Sequence, residues 1–240
     1  MILISPYSVF EHIFEVDAVV NTINAKGYMG KGLALECALR FPEMEKKYKE
    51  ECRKQKIKAG DVWIYEVKSE YWEDPKKEIR KTKRLKILNA ATKDDYKFPS
   101  KIEWVESVIK EIKNLLNSKE ISSIALPKLG AGLGKLDWEN VENIIVKKLY
   151  DIDKKIIITL DLMSGEREKL GIKLAMEELF NKKTLFDNVY ELSNKENISR
   201  FRDFLKMKNI GKKRYSELVR KYFWKNLRLF LKIFYSINEI

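Results

Sequence analysis

The chain has 240 residues, a single histidine, two cysteines and a formal net charge of +12, a length that holds one large domain or a medium domain with an appendage. Two thiols, Cys37 and Cys52, exclude a disulfide scaffold and a cysteine metal site, and His12 alone cannot supply a histidine-rich zinc site. No apolar run of about eighteen residues and no basic leader occur, so the expectation is a cytoplasmic protein without a membrane span, signal peptide, metal or cofactor.

In chain order, residues 2–4 read as a short first strand ended by Ser5-Pro6, and residues 16–23 as a buried strand. That strand empties into AKGYMGKG, residues 25–32, and the glycine loop opens into a helix over 30–41 with Leu33, Leu35, Ala38, Leu39 and Phe41. Gly27, Gly30 and Gly32 let backbone approach a ligand, and the unpaired amides of a helix start favour an anion. Asn21 and Asn24 add neutral donors and acceptors suited to ribose hydroxyls. The spacing fits neither common nucleotide fingerprint, because Lys31 stands between the glycines.

Pro42 restarts a more polar helix to about residue 55, and DVWIYEV, residues 61–67, alternates as a strand. Residues 70–84 are charged, with Asp74-Pro75 as a turn signal, and read as a surface hairpin or loop. A strand over 85–88 delivers NAATKDDYKFPSK on a loop, followed by an amphipathic helix over 100–116 with Ile102, Val105, Ile109, Ile112 and Leu116 on one face. A strand over 121–126 leads into PKLGAGLGKL, the second glycine loop. A helix over 137–150 follows with Asp137 as N-cap, then a strand over 155–160. Strands alternating with helices predict an α/β domain over 1–163 with a mixed, mainly parallel sheet, whose ligand crevice lies at the strand C-termini.

Residues 164–240 read as a mainly helical extension. They carry 18 Lys plus Arg against 10 Asp plus Glu, a net +8 that leaves +4 for the rest. In the last segment Phe223, Leu227, Phe230 and Phe234 recur at helical spacing, with Lys221, Lys225, Arg228 and Lys232 on another side. Such a helix packs on a domain with a solvated face, or contacts nucleic acid, protein or a membrane surface.

Two phosphate-cradling loops in one domain suggest a diphosphate flanked by sugars. Lys93 is the reactive group nearby: a desolvated amine beside other cations loses its proton more readily and attacks sugar C1 centres. The plainer reading makes it a surface lysine on a turn with Asp94 and Asp95.

Three ordered motifs, VDAVVNTINAKGYMGKGLALECALRFPEMEKKYKEEC, ILNAATKDDYKFPSKIEWVESV and IALPKLGAGLGKLDWENV, resemble macrodomains over roughly residues 2–160. They are most similar to the DNA ADP-ribosyl glycohydrolases of the DarG antitoxin type and their animal relative that removes terminal ADP-ribose from glutamate. The resemblance implies a three-layer α/β/α fold in which Asn24 meets the distal ribose with support from Asn21. Gly30, Lys31, Gly32 and Leu33 form one wall of the diphosphate site, Gly130, Ala131, Gly132, Leu133 and Gly134 the other, and Thr92 and Pro127 complete the lining. Lys93 matches the catalytic lysine of this branch, as nucleophile or by polarising the anomeric bond.

The implied function is removal of ADP-ribose from modified DNA bases, with a cognate ADP-ribosyltransferase toxin as a further partner. A non-catalytic ADP-ribose or NAD-metabolite module, and a hydrolase of ADP-ribosylated protein carboxylates or small esters, are the alternatives. The chain departs from the family at Ser5-Pro6-Tyr7-Ser8, where macrodomains place the Gly-Asp-Ile that reads adenine. It also departs at Asn89-Ala90-Ala91, often Asn-Phe-Pro in this branch, and at Gly134, where the animal relative has a catalytic Asp. The C-terminal region does not resemble the toxin-neutralising domain of that antitoxin.

Overall fold

The computed structural model describes residues 1–74, 79–180 and 198–224. The chain divides into two compact units, residues 1–67 with 84–162 and residues 68–83 with 163–240.

The first unit is built on a six-stranded sheet of order β1-β6-β5-β2-β4-β3. Its strands are β1 (Ile2–Ser5), β2 (Ala18–Asn24), β3 (Val62–Asp74), β4 (Ile79–Lys93), β5 (Ser123–Pro127) and β6 (Lys155–Thr159). Helices α1 (Gly32–Arg40), α2 (Pro42–Arg53), α3 (Ile102–Asn117) and α4 (Trp138–Leu149) join them. β1, β6, β5, β2 and β4 run parallel. β3 is the antiparallel edge: Gly60 N donates to Ala91 O at 2.7 Å and Ala91 N to Asp61 O at 2.8 Å, and the connection 75–78 is too short for a parallel crossover.

The central strands are apolar without alternation because both faces are covered. Ala18, Val20, Leu88, Ala90, Ile124, Leu126, Ile156 and Ile158 share a core with Val105, Val108, Ile109 and Ile112 of α3 and Val141, Ile145 and Leu149 of α4. The intervening Val19, Ile87, Ala125 and Ile157 are also buried and by strand alternation point to the opposite face, where α1 packs on β2. That is the expected α/β/α layering. Asp137 caps α4 as expected, its Oδ1 accepting from Asn140 N at 3.0 Å.

Two expectations change. Residues 70–84 are mostly hairpin strand, because backbone pairing between neighbours is indifferent to charged side chains. Lys93 is the last residue of β4, not a loop residue, because β4 continues pairing with β2 to the pair Asn24–Lys93, past a register shift at Ile23/Asn24.

The second unit contains α5 (Glu166–Phe180), a 3-10 turn (Phe201–Lys206), α6 (Lys212–Val219) and a π-helical turn (Arg220–Trp224). Phe201 is its hub, with Phe204 at 5.1 Å and Tyr215 at 5.8 Å between ring centroids, both edge-on. Glu168 is buried against Arg200 at 3.0 Å and accepts from Phe201 N at 2.7 Å. Asp203 Oδ2 accepts from Ser199 N at 3.1 Å, Ser199 Oγ at 3.2 Å and Arg200 N at 2.7 Å. Of the two series expected on the final helix, Leu227, Phe230, Phe234, Lys225, Arg228 and Lys232 lie outside the described residues, as does the side chain of Phe223. Among the described residues no helix is long and apolar enough to cross a membrane.

Candidate functional site

The sheet order fixes where a ligand can enter. From β2 the chain goes to β3 and β4 on one side and then to β5 and β6 on the other, so the C-terminal ends of β2 and β5 flank the point where the winding reverses, the usual crevice of such sheets. Both glycine loops leave the sheet there, and β4 ends on the other side of β2.

The first loop is shaped from within by Asn24, 5% exposed. Its Oδ1 accepts from Lys26 N at 2.9 Å and Tyr28 N at 3.3 Å, and its Nδ2 donates to Tyr28 O at 2.6 Å. The Tyr48 hydroxyl donates to Asn24 O, and burial pushes that phenol above the ordinary tyrosine range. Gly27, at φ +81°, and Gly32, at φ +56°, take left-handed turns that favour glycine. α1 then begins on Lys31, whose extended backbone (φ −149°) carries no side-chain cap, and its first turn has no acidic residue. Its leading amides face the crevice free of side-chain acceptors, with the positive end of the helix dipole behind them.

The second loop is packed more tightly. Gly130 has φ +67°. A Cβ at Gly134 would lie 2.1 Å from Gly130 O and 2.4 Å from Ser100 Oγ, so no side chain fits on this backbone. Ser100 N donates to Gly134 O at 2.9 Å and Leu136 N to Gly130 O at 3.1 Å. Nothing stands within 4 Å of the Cβ positions of Gly30 and Gly132, one on each loop. Pro127 closes β5 beside Thr159; Leu33 and Ala131 are half-buried and Thr92 is buried at 3%.

Leu133 draws the three motifs together. Its side chain covers Gly32, where a Cβ would be 3.3 Å from Leu133 Cδ1, and its carbonyl accepts from Lys93 Nζ at 2.6 Å. Ala25 N donates to Lys93 O at 3.1 Å and Asp94 O at 3.0 Å, while Lys26 Nζ stands 3.4 Å from Asp94. Partial burial, and then the positive charge of Lys135, hold the Lys93 amine below its ordinary value. The crevice therefore offers amides from two loops to an anion and a cation-flanked amine beside them.

Asn21 lies deeper, at 0% exposure, donating from Nδ2 to Asn89 Oδ1 at 2.8 Å across the β2–β4 pair. Asn89 Nδ2 donates to Ile87 O at 3.3 Å, and Asn21 Oδ1 is buried without a partner. His12 braces the fold, with Nε2 2.8 Å from Ser5 Oγ and Nδ1 beside Glu15. Sequence reasoning missed Tyr28, Tyr96, Ser100 and Lys135. The tyrosines carried a signal, as aromatics inside polar glycine- and lysine-rich loops; Ser100 and Lys135 matter only through the folded loop.

Residues 20–145 match the model of the Macro domain family. The DNA ADP-ribosyl glycohydrolase of Mycobacterium tuberculosis is 33% identical over 145 residues, covering 59% of this chain and 38% of that protein. The match thus spans well under half the length of that relative. The macrodomain of Mycobacterium tuberculosis DarG aligns with a TM-score of 0.56 at 28% identity, covering 67% of this chain and 97% of that one. The structure of Thermosipho africanus DarTG in complex with ADP-ribose aligns with a TM-score of 0.53 at 26% identity, covering 64% and 39%.

Proposed function

This chain belongs to the macrodomain family, and from that premise we propose that its first unit binds ADP-ribose and hydrolyses the bond joining it to a nucleic acid base, most directly on DNA. The relatives named DNA ADP-ribosyl glycohydrolase and DarG, and the ADP-ribose complex of one of them, support the ligand and the substrate class. The observation that carries the reading is the placement of Lys93 Nζ on Leu133 O, the residue that also covers Gly32 of the first loop.

In this reading the diphosphate lies between the α1 amides and the second glycine loop, and the distal ribose turns toward Lys93. Fixed amides stabilise the diphosphate without reorganising, the usual source of electrostatic advantage in a closed site. As a free amine, Lys93 attacks the anomeric carbon; the bond to the base breaks with its electron pair leaving on the base. Water then releases ADP-ribose and returns the lysine. As an ammonium, it polarises the same bond in one step. An ADP-ribosyltransferase that modifies DNA is the partner activity such a hydrolase would reverse.

A binding module with the same pocket is the competing reading. It draws on Gly134, where the backbone leaves no room for a second catalytic carboxylate. Release of ADP-ribose from an ADP-ribosylated oligonucleotide, beside calorimetry with ADP-ribose, decides between them. Lys93→Ala is expected to lower turnover by about 100-fold or more with ADP-ribose affinity nearly unchanged. Equal turnover in both proteins removes the lysine from the mechanism, and binding without turnover in the wild type makes the unit a reader.

A further inference from the structure

Large apolar side chains are rarely left in water beside a polar ligand site without a partner for them. Tyr28 is 57% exposed, Tyr96 45%, Phe98 64% and Leu133 61%, and all four stand on the loops that converge on Lys93. The Tyr28 and Tyr96 rings lie 4.5 Å apart between centroids, tilted by 51°.

Both rings are held in place. Asn24 grips Tyr28 through its amide and its carbonyl, at 3.3 and 2.6 Å. Tyr96 sits in a turn where Asp95 Oδ1 accepts from Lys97 N at 2.9 Å and Asp95 O from Phe98 N at 3.3 Å. Lys26 and Asp94 tie the two loops to each other at 3.4 Å. The surroundings are cationic: Lys97 Nζ is 5.7 Å from the Tyr96 ring centre, and Lys31, Lys101 and Lys135 are exposed on the same loops. The two nearby carboxylates are already engaged, Asp94 by Lys26 and Asp95 by the amide of Lys97.

We propose that Tyr28 and Tyr96 form a stacking ledge for an unpaired nucleobase, so that the site takes its substrate as single-stranded nucleic acid. A diphosphate and two riboses are recognised by amides and hydroxyls and have no use for exposed rings, whereas a base presents a flat face to an aromatic and phosphates to the lysines around it. Inside a duplex that face is covered by its neighbours, so only a strand that is single, or a base turned out of the stack, can use the ledge. The inference rests on the reading of the site given above for the identity of the modified partner, and its test does not require hydrolysis.

The test is fluorescence anisotropy of the full chain with an unmodified, labelled single-stranded oligonucleotide and with its duplex, alongside calorimetry with ADP-ribose. The variants are Tyr28→Ala, Tyr96→Ala and Tyr96→Trp. Wild type is expected to prefer the single strand; either alanine is expected to weaken that binding by about 5- to 100-fold, Tyr96→Trp to preserve it, and all three to bind ADP-ribose as wild type does. Equal oligonucleotide affinity in wild type and the alanine variants overturns the proposal. So does equal affinity for duplex and single strand, or a loss confined to ADP-ribose, which would make the ledge a seat for adenine. If the ledge behaves as expected while wild type releases no ADP-ribose from modified DNA, the hydrolase reading falls and the ledge stands.

Discussion

Replacing Gly134 by alanine tests whether the second glycine loop is the rigid wall its geometry describes. The new methyl would sit 2.1 Å from Gly130 O and 2.4 Å from Ser100 Oγ, and the nearer contact is backbone, which cannot rotate aside. Either the loop moves or Gly130 O gives up the hydrogen bond from Leu136 N at 3.1 Å. Overpacking of this kind costs about 1–3 kcal/mol, and the lost hydrogen bond about 1 kcal/mol more. A total near 2–4 kcal/mol in a unit of this size corresponds to a drop in Tm of roughly 5–15 °C. The same movement carries Leu133 with it, so Lys93 loses its anchor, and a shift of about 1 Å there costs on the order of 10²-fold in rate. Gly132→Ala is the control, because nothing stands within 4 Å of its Cβ position. Thermal unfolding, ADP-ribose calorimetry and the release assay on both variants give the answer. A Gly134→Ala protein as stable and as tight for ADP-ribose as Gly132→Ala would refute the packing described for this loop.

Two further outcomes follow from charge. Lys135→Met removes the cation that, after burial, depresses Lys93; its loss stabilises the ammonium, raises the pKa and leaves less free amine at neutral pH. If Lys93 acts as a free amine, the pH–rate profile moves to higher pH, and an unmoved profile separates Lys135 from the chemistry. In the second unit, burial opposes ionisation of Asp203, but Lys206 and the amides of Arg200 and Ser199 outweigh it and hold the carboxyl below the ordinary 3.8. Its stabilising contribution is complete above 3.8 and fades as pH falls through the lower folded value. Asp203→Ala is expected to cost on the order of 3 kcal/mol at neutral pH by stranding buried amides and to lose this acid-sensitive component. Thermal melts from neutral pH down past 3.8 check both, and parallel acid profiles for the two proteins would refute the assignment.

Much of the first unit was legible because its signals are local. The apolar runs of β2, β5 and β6 end at glycine, proline or aspartate, and Asp137 announces α4. The strand pair β3–β4 was less so, since IRKTKR, residues 79–84, carries no apolar pattern and is extended only because a neighbour pairs with it. At the site, the glycines and Lys93 stood out by type, but what assembles them did not. Leu133 joins the loops only because the sheet order sets β5 beside β2 and β2 beside β4. Asn24 read as a ribose ligand from its neighbours in sequence; in the fold its carboxamide is engaged by the Tyr28 backbone.

The Asn21–Asn89 contact reaches beyond its own two side chains. Polar amides embedded in a hydrocarbon sheet act as an index mark. Sliding β2 by one residue against β4 would turn each carboxamide to the opposite side of the sheet and separate the two. Leucine or valine at both sites would pack as well in many registers; this couple is satisfied in one. Three residues downstream of Asn21 and four downstream of Asn89, the same alignment sets Asn24 abreast of Lys93, so the tolerance with which the amine meets its target is set in the dry middle of the sheet rather than at its wet rim.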